Sequence, residues 1–125
     1  MGLDNFASRS PDDIVLTQAD EEAFEASGLE LVGGILSGDS SSFRGKVYAS
    51  LVLEVTGESL YDQWLPPETV RRMSAALAEH TPAELVVIQH RAPPVWAPPP
   101  ERQMADLQQF FAICAERGIG LIGWA

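Results

Sequence analysis

"KVYASLVLEVTG", residues 46–57, is the stretch on which the fold turns. Val47, Leu51 and Val55 recur at every fourth position, with Tyr48 and Val52 beside them, which is the apolar stripe of a helix. The β-branched residues also suit a strand. Gly57 follows as a natural helix stop. The spacing favours the helix, and with it a mainly α chain of about four helices and one or two short strands. An α+β arrangement is the alternative.

The segment just before it, "GGILSGDSSSFRGKVY" (33–48), gathers glycines, a run of serines, Arg44 and Lys46 in a chain with 8 basic and 18 acidic residues. If the helix begins near Lys46, then Ser41, Ser42 and Gly45 lie at its start. Unpaired backbone N–H groups and the positive end of the helix dipole are found there. Gly45 allows close backbone approach, Arg44 offers a planar fork and Lys46 adds charge. Ser41, Ser42, Arg44, Gly45 and Lys46 are therefore the candidate site for a phosphate or carboxylate, carried by a small ligand or by a partner. The competing reading makes the serines helix caps and Arg44 a tie to a nearby acid. A nucleotide-binding P-loop does not fit, because Gly38 and Gly45 bracket too many residues and Val47 stands where Ser or Thr should follow the lysine.

Further helices flank this centre. "LTQADEEAFEASG" (16–28) has Thr17 as a cap, Asp20 three residues on as its capping-box partner, and Gly28 as its stop. "PPETVRRMSAALAEHTP" (66–82) enters through prolines and aligns Val70, Met73 and Leu77, with Glu68 and Arg72 as a pair one turn apart. "ERQMADLQQFFAICAERG" (101–118) lines up Met104, Leu107, Phe111 and Cys114 and ends at Gly118. "LELVGGIL" (29–36) reads as a buried connection or short strand, "ELVVIQH" (84–90) as a buried strand, and "IGLIGWA" (119–125) as a strand or buried tail. The proline-rich "RAPPVWAPPP" (91–100) suits only an extended crossing. A chain of 125 residues makes a single domain, 1–125.

Composition limits function. A net charge of -10 argues against general nucleic-acid or anionic-membrane binding, since both need a basic surface. No secretory signal pattern opens the chain, and the lone Cys114 fits a reducing cytoplasm. His80 and His90 are the only histidines and no metal-ligand spacing joins them, so neither metal nor cofactor is expected. Cys114 lies on an apolar stripe and reads as a buried small hydrophobe. Tyr61, Trp64 and Trp96 stand beside prolines outside the helices, either plugging the ends of the core or forming a contact face.

"MGLDNFASRS", "SSSFRGKVY", "TGESLYDQWLPPETV" and "FFAICAERGIGLIGWA" together resemble a group of small bacterial and archaeal proteins. The resemblance spans nearly the whole chain and implies a complete small protein, but carries no activity across. The order strand, proline-rich turn, helix, strand over 84–125 also resembles the JAB metalloprotease-like fold in its RadC-like branch. Where that family's metal motif has two histidines and a proline this chain has Gln89, Arg91 and Ala92, so the resemblance carries no zinc ligands and no metal-hydrolase chemistry. The leading expectation is a non-catalytic, cytoplasmic binding or interaction protein. A small enzyme acting on an anionic molecule at Ser41–Lys46, with Tyr48 or Tyr61 nearby, is the alternative, and a subunit of a larger acidic complex is the third reading.

Overall fold

The structure is a computed structural model and describes residues 2–32, 41–89 and 99–125. Within them, residues 45–56 are helical. The elements run β1 (Asp4–Ser8), α1 (Gln18–Ser27), β2 (Ser42–Phe43), α2 (Gly45–Thr56), β3 (Trp64–Leu65), α3 (Pro67–Ala78), α4 (Pro82–Ile88), α5 (Pro100–Arg117) and β4 (Gly120–Trp124). The four strands form one antiparallel sheet in the order β2-β1-β4-β3. The architecture is therefore α+β, and the expectation of a mainly α chain with one or two strands is overturned.

The reason lies in how the strands look locally. β2 and β3 are two residues long, and β1 is "DNFAS", in which Asp4, Asn5 and Ser8 are all buried. Pairing and burial on both faces hold such segments in a sheet, and no period-2 hydrophobic pattern announces them. The error is opposite at "ELVVIQH", where the expected strand is helix α4. Thr81 Oγ1 accepts from Glu84 N at 3.2 Å and Thr81 N donates to Glu84 Oε1 at 2.7 Å. That closed capping box, with Pro82 in the first turn, outweighs the valine run. With 82–88 helical, the element order shared with the metalloprotease-like fold is lost.

The other helices form where their patterns place them. Thr17 and Asp20 close a capping box on α1, and Gly28, at φ 66°, takes the left-handed position that only glycine adopts cheaply. Gly57 and Gly118 end α2 and α5 in the same way. The start of α2 differs from expectation. Ser42 belongs to β2, the helix begins at Gly45, and Arg44 occupies the cap position without a side-chain cap bond. Arg72 Nη2 donates to Thr69 Oγ1 at 3.4 Å, and the pair expected with Glu68 is not among the ion pairs of the described residues. Leu29–Val32 is not a strand. Residues 33–36, His90 and most of the proline-rich span, Trp96 included, lie outside the described residues.

One face of the sheet carries the core. Leu3, Ala7, Phe43, Leu65 and Leu121 join the stripes of α2, α3 and α5 in a single cluster. Phe43 sits at its centre, with Phe110 4.9 Å away edge-on and Tyr48 at 5.8 Å. Met104, Leu107, Phe111 and Cys114 are all buried, as the helical spacing of 101–118 required.

Candidate functional site

The opposite face of the sheet carries a different set of side chains. By register, Ser42, Phe6, Ile122 and Trp64 form one cross-strand row, and Asp4 lies opposite Trp124 in the next. Phe6 and Trp124 pack with ring centroids 5.9 Å apart and their planes tilted by 50°. Trp64 packs against Gly120, where a Cβ would come within 2.4 Å of the indole and 2.7 Å of Leu65 O, so glycine is needed there for close packing.

A loop flanks this outer face. Ser8 Oγ organises it, donating to Asp13 O at 2.7 Å and accepting from Val15 N at 2.9 Å, while Arg9 N donates to Val15 O at 2.8 Å. These bonds set Asp12, Asp13 and Ile14 beside Gln63, Ile122 and Trp124, around an open cleft of about 360 Å³. Ile14 is 45% exposed and Trp124 59% exposed on its walls. No cation among the described residues pairs with Asp12 or Asp13.

A buried ion cluster anchors the loop's base. Asp20 is fully buried and accepts from Arg9 Nε at 2.7 Å, Arg9 Nη2 at 2.8 Å and Arg117 Nε at 2.8 Å. It also accepts from Thr17 N at 3.0 Å. The Arg9 guanidinium above all, with Thr17 and Arg117, overrides burial and holds the Asp20 carboxyl far below the usual carboxylate range. β1, α1 and the end of α5 are thereby tied together.

The residues singled out by sequence are only partly brought together. Arg44 Nε lies 3.3 Å from Asp4 Oδ1, an ion pair without hydrogen-bond geometry. Gly45 does not leave its backbone open, because Asn5 Oδ1 occupies the place of its missing Cβ, 1.6 Å from where that atom would be. Its φ is also not positive. Ser42 Oγ is buried without a hydrogen-bond partner, Ser41 O accepts from Ala7 N at 2.9 Å, and Lys46 N donates to Leu3 O at 3.4 Å. Tyr61 is exposed and Trp64 half-buried. Trp124 went unnoticed in the sequence. The signal was its alternation with Ile122, which would have placed both on one face had 119–125 been assigned firmly to a strand.

Two reactive side chains are withdrawn into the core. Tyr48 Oη donates to Gln103 Oε1 at 2.7 Å and accepts from Val32 N at 3.1 Å, and burial pushes its pKa up to about 12. Burial likewise raises the Cys114 thiol far above its ordinary value, so it stays protonated. Among the described residues no group of three or more His, Cys, Asp or Glu side chains is placed to hold a metal ion. No helix among them is long and apolar enough to cross a membrane. Compared with family models, curated proteins and solved structures, the chain matches none.

Proposed function

We propose that the protein is a non-catalytic binding protein of a reducing compartment, the cytoplasm, and that it holds a protein partner at the cleft between the 9–15 loop and Trp124. The carrying observation is the exposed Trp124 indole beside Ile14, set over the apolar row of Phe6, Ile122 and Trp64. A large amphipathic ring on the rim of an apolar face is the residue type that anchors protein contacts. Tyr61, exposed in the turn before β3, extends the same reading toward the sheet edge. The test is hydrogen–deuterium exchange with candidate partners from the neighbouring genes. The reading expects protection of 9–15 and 120–125 and its loss in Trp124→Ala. Protection confined to α3 or α4 would overturn it.

A second reading keeps the anion site at Ser41–Lys46. The observation in its favour is that Ser42 Oγ and Arg44 Nε are buried donors with no hydrogen-bond acceptor. An anion there must compete with Asp4 for Arg44. Titration of phosphate and citrate against the amide signals of 41–48 separates the two uses of Arg44. Saturable shifts lost in Arg44→Ala support an anion site. Silent signals, with Arg44→Ala lowering stability, make Arg44 a structural tie.

A further inference from the structure

The cleft beside Trp124 has features that specify its occupant more closely. Its apolar wall is Trp124, Ile122 and Ile14, and its polar rim is Asp12, Asp13 and Gln63. Arg9, which opens this very loop, and Arg117 are both held on Asp20, and Arg44 lies on Asp4. Arg102 is held by Asp106 at 3.0 Å. The loop presents two carboxylates with no cation paired to them among the described residues, Asp13 Oδ1 accepting only from Ile14 N, beside an exposed indole in a chain of net charge -10.

We infer that the cleft receives an arginine side chain from a basic partner protein, its aliphatic stem along Ile14 and Ile122, its guanidinium on the Trp124 ring and its N–H fork on Asp12 and Asp13. Each part of that side chain finds its complement. The stem is apolar and the head is a planar cation that stacks on indole. The fork matches carboxylate oxygens better than an ammonium does. A cleft of about 360 Å³ has room for one such side chain. A second copy of this chain is disfavoured as occupant, because two bodies of charge -10 repel at close range. This inference rests on the binding reading above and adds the chemistry of the contact.

The probe is the capped tripeptide acetyl-glycyl-arginyl-glycinamide, compared with the same peptide carrying citrulline, which keeps the shape and loses the charge. The signals followed are the indole N–H of Trp124 and the amides of Asp12, Asp13 and Ile14. The arginine peptide is expected to shift them saturably, and the citrulline peptide to bind about tenfold more weakly. Added salt weakens the arginine peptide further. The double variant Asp12→Asn/Asp13→Asn loses a similar factor; it keeps the acceptor that Asp13 Oδ1 offers to Ile14 N at 2.8 Å, so the loop retains its shape. Equal binding of the citrulline peptide, or binding unchanged in the double variant, overturns the cation inference and leaves the partner reading standing. Shifts of Trp124 that appear on concentrating the protein alone make the occupant a second copy, and also overturn it. If no peptide moves Trp124, the inference falls; if the partners tested by exchange also leave 9–15 and 120–125 unprotected, the binding reading falls with it.

Discussion

Arg9 grips the buried carboxylate of Asp20 with both arms of its guanidinium, Nε to Oδ2 at 2.7 Å and Nη2 to Oδ1 at 2.8 Å, across a separation of eleven residues. Arg117 Nε reaches the same carboxylate at 2.8 Å, and Arg9 Nη2 also donates to Arg117 O at 3.0 Å. Asp20→Ala therefore leaves two cations beside a buried gap and removes the capping partner of Thr17. Because each arginine is about a third exposed, water recovers part of the loss. The expected cost is about 3 kcal/mol in urea unfolding at neutral pH.

The same pair sets an acid limit. The folded pKa of Asp20 lies below its unfolded value, so its contribution is fully present above the unfolded pKa of about 3.9 and disappears as pH falls toward the folded one. Urea midpoints measured downward from about pH 5 should fall more steeply for the wild type than for Asp20→Asn. Parallel curves would show that other carboxylates dominate acid unfolding.

Gly45 and Asn5 are fitted against each other. Asn5 is fully buried and its Nδ2 donates to Leu60 O at 3.0 Å, so its amide cannot simply swing away from an added methyl group. Gly45→Ala should cost about 1–3 kcal/mol by overpacking, although alanine is the better helix former. A neutral or stabilising result in thermal melts would show that Asn5 yields freely.

Tyr48→Phe keeps the ring in the aromatic cluster and removes the hydroxyl between Val32 N and Gln103 Oε1. Leaving the Val32 N–H buried without this acceptor should cost about 1–3 kcal/mol, read from chemical denaturation with an unchanged near-ultraviolet spectrum.

Phe111 is fully buried, with Phe43 6.5 Å and Phe110 6.2 Å away between ring centroids. Phe111→Ala should cost about 3–5 kcal/mol, a large part of the stability of a domain this size. A loss below about 1 kcal/mol would mean that the surrounding rings collapse into the space.

Local chemistry made much of the helical framework legible. Thr17 with Asp20, Gly28, Gly57, the prolines before Glu68 and the stripe from Met104 to Cys114 each act within a few residues, so the order of the chain already contains the interaction. The Thr81–Glu84 box was equally local and equally present, but the run Leu85–Ile88 drew the reading toward a strand. The role of Arg44 was half legible. Its charge marked it out, yet only the pairing of β1 with β2 brought Asp4 to within 3.3 Å of it.

The sequence by itself determined an acidic, helix-rich chain with capped helices and a buried final stripe, because composition, capping and helical period depend on near neighbours. Only the tertiary structure decided that β1 exists, that it lies between β2 and β4, and that Trp124 faces out beside Ile14. Asp4 and Trp124 stand 120 positions apart and meet as directly opposed residues of neighbouring strands. Their pairing has no counterpart in local spacing, since a short strand without an alternating pattern, such as β1, becomes a strand only when its partners arrive to pair it and bury it.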